Sequence, residues 1–149
     1  MKKFISAIFN NRKVSSTQDE NTLLSKYQKS GLKLSEALEI KEKVRLAFEY
    51  DKIYKNNALG LNELSSHIVM DRYKVSQVIN EYISVNFYTL LNQYRVKDAK
   101  NLLIHNPNLS VKAIMYEVGF NSKTCFYSAF KKETGLSPND FRNLVKFAS

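Results

Sequence analysis

A single cysteine, Cys125, in a chain of 149 residues excludes an internal disulfide and fits a reducing compartment. Proline occurs only twice and glycine four times. With so little to interrupt the backbone, and helical periodicity in nearly every long segment, an all-α protein is predicted. Four scattered glycines cannot cradle a nucleotide, and the chain carries no phosphate loop, metalloprotease motif or nucleophile elbow, so no enzyme activity is expected. His67 and His105 lie far apart without a ligand cluster; neither a metal site nor any other cofactor is expected. No run approaches the roughly 20 apolar residues of a membrane span. The start, MKKFISAIF, has the charge of a signal peptide, but its apolar part is too short and runs into Asn10-Asn11-Arg12-Lys13. A cytoplasmic protein is expected. Acidic residues are also scarce, 14 against 23 Lys and Arg, and the net charge of +9 points to a polyanionic partner.

What the chain does have is concentrated between Ser110 and Arg142. Ser110 is a good helix N-cap, with Leu109 and Ile114 placed as a hydrophobic staple. Ile114 and Val118 lead to Gly119-Phe120, where a glycine offers the exit from a short helix. A second helix follows, capped by Asn121 or Ser122, with Phe126, Ala129 and Phe130 at helical spacing. Gly135 ends it, and Ser137-Pro138 with Asp140 opens a third. Two short helices about a glycine turn read as a helix-turn-helix.

At these residues the sequence closely resembles the DNA-binding domain of the AraC/XylS family of bacterial transcription regulators. The resemblance rests on Ile114, Tyr116-Glu117-Val118-Gly119-Phe120, Ser122, Phe126, Ala129-Phe130-Lys131-Lys132, Gly135, Ser137-Pro138 and Arg142. It implies two tandem helix-turn-helix subdomains, and the upstream chain supplies the second. A shift of 50 sets Leu59 on Leu109, Leu64 on Ile114, Ile68 on Val118 and Met70 on Phe120; a shift of 51 sets Asp71 on Ser122, Val75 on Phe126 and Ile79 on Phe130. The expected fold is all-α, with one unit over about 60–84, a long linking helix over about 86–105 and a second unit over about 110–132. Asn86 would cap the linking helix, and Asn106-Pro107-Asn108 would end it. At about 1.5 Å per residue such a helix is roughly 30 Å long, close to the ~34 Å repeat of B-DNA, which suits recognition helices in successive major grooves.

Upstream, the helix expected from Ser35 to about Tyr54, capped by Ser35, carries Ala37, Ile40, Val44, Ala47 and Phe48 on one face. It is expected to pack on the first helix-turn-helix, within a DNA-binding domain over 35–149. Residues 1–34 then form an amino-terminal arm and linker, with Phe4, Ile5, Ile8 and Phe9 on one helical face. That arm is expected to be loosely ordered, or else a small docking helix or the stump of a longer parent protein. It is too short for the sensor domain that many members of the family carry.

In such units the second helix reads base edges from the major groove. Core positions leave Arg72, Tyr73, Ser76 and Gln77 outward in the first recognition helix, and Lys123, Thr124, Tyr127 and Ser128 in the second. The resemblance points to the same positions as the base readers. Lys74, Asn80, Lys131, Lys132 and Arg142 are expected at phosphates. Arg95 is expected either to bind a phosphate or to pair with Asp98 one turn on, the second being favoured, and Cys125 to be a packed thiol. Val69 and Ser84 stand where the family pattern favours glycine; Val69 is expected to take a negative φ and pack inward beside Ile68 and Met70. The function expected is that of a sequence-specific regulator binding double-stranded DNA on the nucleoid. The alternative is a low-specificity DNA-binding fragment, or an interaction module meeting RNA polymerase or a sensor partner through its arm.

Overall fold

The computed structural model describes residues 31–148, so the expectations for the amino-terminal arm fall outside the described residues. Among the described residues every regular element is helical. They are α1 (Leu34–Glu49), a 3-10 turn (Ile53–Lys55), α2 (Leu61–Ile68), α3 (Arg72–Val78, continued by a wide π-type turn Ile79–Ile83), α4 (Phe87–His105), α5 (Val111–Glu117), α6 (Lys123–Thr134) and α7 (Pro138–Ala148). The chain divides into two compact units. Among the described residues the first holds 31–51 together with Gly60–Phe87; the second holds Lys52–Leu59 and 88–148.

In the first unit α1 packs on α2 and α3. Its apolar row is buried as the periodicity requires: Ala37, Ile40, Val44 and Phe48 are fully covered, and Ala47 nearly so. Leu64, Val75, Val78 and Ile79 complete the core, each buried side chain contributing about 1.5–3 kcal/mol where it is large and aliphatic. Leu32 is buried too, so the packed part of the unit begins within the segment expected to be linker. The expected limits of α1 need correction. Lys33, not Ser35, is the N-cap residue, and the helix ends at Glu49 with Tyr50 as its C-cap. Lys52 then turns left-handed (φ 51°), which terminates the helical path several residues before Tyr54.

The second unit is built around α4, α5 and α6. Val96, Ala99 and Leu103 from α4 meet Ile114, Met115, Val118, Phe120, Phe126, Ala129 and Phe130 in one apolar cluster. Its aromatic members are tilted rather than stacked flat, with Phe130 edge-on to both Phe126 and Phe141. The caps fall where the sequence puts them. Ser110 accepts from Ala113 N (3.0 Å), Ser122 from Cys125 N (3.3 Å) and Ser137 from Asp140 N (3.1 Å).

The two turns share one hydrogen-bond pattern. After α5, Gly119 N donates to Tyr116 O and Phe120 N to Met115 O; after α2, Val69 N donates to Ser66 O and Met70 N to Ser65 O. This is the Schellman-type ending, and it demands a left-handed residue. Gly119 supplies φ 102° and Val69 φ 55°. The expectation of a negative φ at Val69 is therefore overturned: the bonds of the turn outweigh the preference of a β-branched residue. Val69 is 82% exposed rather than packed. Ser84, the other departure from the glycine pattern, is likewise left-handed (φ 65°).

A left-handed β-branched residue costs about 1–2 kcal/mol, and glycine returns about 0.5–1 kcal/mol of that through its unfolded-state entropy. Val69→Gly is thus expected to raise the melting temperature, a net gain of up to about 1 kcal/mol. Gly119→Ala should lower it, destabilising the protein by more than about 2 kcal/mol, because a Cβ there runs into the Tyr54 carbonyl oxygen. Thermal melts of both proteins check the pair; a Val69→Gly protein melting below wild type would mean the turn stores no strain.

Candidate nucleic-acid interface

Each unit presents one short helix behind a tight turn, and the polar side chains on those helices form the candidate surface. In the first unit Asp71 caps α3 by accepting from Lys74 N (3.1 Å). Arg72 and Tyr73 are exposed, the guanidinium lying 5.8 Å from the Tyr73 ring centre. Ser76 and Gln77 are half-buried; the Gln77 amide donates to Glu81 at 3.2 Å. Asn80 is exposed and bonds back to the Ser76 carbonyl (2.9 Å), which ties it to its own helix. Lys74 reaches the Glu36 carboxylate at 2.8 Å, and that hydrogen bond holds its ammonium in the charged form. The helix is α only as far as Val78; the wider turn through Ile83 then keeps both Ile79 and Ile83 buried.

In the second unit α6 has no acidic residue in its first turn and Lys131 with Lys132 in its last. Free amides and a positive dipole end at one terminus and cations at the other give a helix that attracts anions along its length. Lys123, Thr124, Ser128, Lys131 and Lys132 are exposed. Tyr127 is half-buried and held from three sides. Lys123 Nζ lies 5.2 Å from its ring centre, Phe126 meets it edge-on at 5.8 Å, and Asn139 from α7 donates to its hydroxyl at 3.0 Å. Such a ring is pre-organised, so less rotamer entropy is lost when it meets a ligand. Arg142 is occupied differently. It donates to the carbonyls of Leu109 (2.6 Å) and Asn106 (3.3 Å), fastening α7 to the loop ahead of α5.

Two readings of single residues need correction. Cys125 is exposed on α6, between Thr124 and the buried Phe126, and is not a packed thiol. Helical spacing could have revealed this, since the inward row is Phe126, Ala129 and Phe130. Arg95 does not pair with Asp98. It is buried, and its Nε donates to Tyr54 O (2.8 Å) and Nη2 to Asn56 O (2.9 Å). Burial without a carboxylate partner lowers its pKa to about 10. Asp98 instead accepts from the Tyr54 hydroxyl (2.9 Å), whose pKa is raised chiefly by burial and then by that carboxylate. Lys55 adds ion pairs to Glu117 (3.3 Å) and Asp98 (3.9 Å). The strap Lys52–Leu59 is thereby clasped into the second unit, a part for which the sequence carries no periodic signal. No grouping of His, Cys, Asp and Glu suited to a metal ion occurs among the described residues. Nor does any helix among them have the length and apolar character to cross a membrane.

A family profile described as a helix-turn-helix domain matches residues 64–144. The arabinose operon regulatory protein of Escherichia coli is 26% identical over 102 residues, 67% of this chain and 34% of that protein. The C-terminal domain of AraT, a response regulator from Geobacillus stearothermophilus, superposes with a TM-score of 0.61 at 29% identity, covering 68% of this chain and 84% of that one. The DNA-binding domain of AdpA, a global transcriptional factor solved with a target DNA, has a TM-score of 0.63 at 21% identity, a likeness of fold, over 73% of this chain and 94% of that one. The chain spans about a third of the length of the curated relatives it matches.

Exposure of Cys125 on α6 has a direct consequence. A maleimide reagent should label it in the native protein about as fast as in denaturant, whereas a buried thiol would be protected. Labelling slowed by a hundredfold or more in the native state, relative to denaturant, would contradict the placement.

Proposed function

The chain belongs to the AraC/XylS family of helix-turn-helix DNA-binding domains, and from that premise we propose that it regulates transcription by reading two different half-sites of duplex DNA. The observation that carries the reading is the pairing, in one chain, of two turn-capped helices with non-identical polar faces. Two different readers in a monomer call for an asymmetric site, unlike a dimer on a palindrome. In the first half-site Arg72, Tyr73, Ser76 and Gln77 read base edges; in the second Lys123, Thr124, Tyr127 and Ser128 do so. Arg and Lys suit guanine N7 and O6, Gln suits adenine, and the tyrosines and the Thr124 methyl suit thymine methyls. Lys131, Lys132 and the amides at the start of α6 take phosphates. Lys74 and Asn80 are suited to the same task once they exchange their partners within the protein for the DNA backbone. Arg142 acts on the phosphates only through the loop it fastens. The net charge of +9 supplies the long-range attraction, and the site of action is the nucleoid.

Footprinting on genomic fragments is expected to protect a defined site of roughly two helical turns. Gln77→Ala should relax base preference in one half-site and Thr124→Ala in the other, by about 1–3 kcal/mol at the affected base pair. Equal effects of either substitution on both halves would defeat the tandem reading. With Lys74, Lys131 and Lys132 on phosphates and Arg72 and Lys123 in the grooves, about five cations are engaged; log K should fall with log salt at a slope near −4 to −5, and the Lys131→Ala, Lys132→Ala double variant should flatten it by about 2. A wild-type slope shallower than about −2 would reject a footprint of this size.

A further inference from the structure

We propose that Arg95 is a positioning residue for base reading by α6, acting through the strap Lys52–Leu59 and the Gly119 turn. The proposal rests on the reading of α6 as a recognition helix. Arg95 lies on α4 and is buried, so it does not itself face a ligand. Its fork holds the carbonyls of Tyr54 and Asn56, and the strap so held lies directly against Gly119. A Cβ on Gly119 would meet the Tyr54 carbonyl and stand 2.9 Å from Arg95 Nε. The guanidinium also lies 5.3 Å from the centre of the Phe120 ring. From there the path is aromatic: Phe120 to Phe126 at 5.1 Å, and Phe126 to Tyr127 at 5.8 Å. Arg95 therefore bears on the turn immediately before α6 and, through two rings, on one of its reading side chains.

The first unit shows that this clasp is not needed to form such a turn. Val69 and Met70 make the same pair of backbone bonds as Gly119 and Phe120, yet Val69 is 82% exposed with nothing laid over it. A buried cation that gives up its hydration only to cover a turn able to stand open fixes something other than the turn's hydrogen bonds. What it fixes is where α6 begins. A glycine has no side chain to anchor it, so its location is set by what packs on it, here the Tyr54 carbonyl and Arg95.

The test uses the full chain and three duplexes: the parental site, and sites with either half-site scrambled, the α6 half being the one relaxed by Thr124→Ala. Arg95→Met is expected to reduce discrimination at the α6 half-site about tenfold, while discrimination at the other half and the salt slope stay unchanged. Arg95→Lys, which keeps a donor but not the fork, should recover part of the loss. Tyr54→Phe removes the bond to Asp98 and keeps the carbonyl held by Arg95; it should lower the melting temperature without altering discrimination. Folded Arg95 variants with wild-type discrimination at the α6 half, or with equal losses at both halves, would overturn the proposal. So would failure of both Arg95 variants to fold, since the residue would then serve stability alone. Wild-type protein that discriminates at neither half would overturn the functional reading itself, and this inference with it.

Discussion

The second unit depends on a buried guanidinium set against a residue that has no side chain. Removing Arg95 from water costs several kcal/mol, and no carboxylate repays it; two backbone carbonyls and the face of Phe120 do so instead. Those carbonyls belong to a strap that comes earlier in sequence than either helix-turn-helix. The strap can approach only because position 119 is glycine, at φ 102° and with no room for a Cβ. Tyr54 secures the same strap twice more, by its hydroxyl on Asp98 and by stacking on Tyr94 at 5.9 Å. The Arg95 Nε and Nη2, the Tyr54 hydroxyl and the two strap carbonyls each have a specific partner, which is the condition for burying them.

Repetition of the helix-turn-helix, with one copy carrying valine where the other carries glycine, separates what the motif needs from what the tertiary setting adds. The motif needs a left-handed residue and two backbone bonds, and both copies have them. Glycine becomes obligatory only where another segment lies on the turn. The uncovered copy tolerates Val69 and bears its strain, of the order of 1–2 kcal/mol, small beside the burial of Leu64, Ile68, Val75 and Val78 around it.

Electrostatically the two helices differ as well. Lys74 on α3 pairs with Glu36, while Arg72 on α3 and Lys123 on α6 each lie over a tyrosine of their own helix. On α6 the terminal lysines are exposed and the first turn carries no acid. Exposed, unscreened charge gives orientation-independent attraction to phosphate, whereas half-buried amides and hydroxyls impose geometry. The exposed lysine pair is thus a feature of α6, and the half-buried Ser76 and Gln77 a feature of α3.

Much of this was legible in the chain itself. Caps at Ser110, Ser122 and Ser137, the glycines at 119 and 135, and the apolar row of α1 are local signals, because a cap or a 3.6-residue period involves neighbours within a few positions. The tandem repeat was legible for the same reason, as the same local signals recur about 50 residues apart. The polar outward positions on α3 and α6 follow from the same periodicity, as those its inward row leaves over. Tertiary structure decided the rest. The end of α1 at Glu49, the left-handed Val69 and the clasp of Arg95 on Tyr54 and Asn56 each depend on groups distant in sequence, or on backbone bonds outweighing a residue's own preference. Asp98 stood one turn from Arg95 and offered the obvious partner. The strap brought two carbonyls to Arg95 and a tyrosine hydroxyl to Asp98, and no pattern of neighbours in the chain can announce a contact made across some 40 positions.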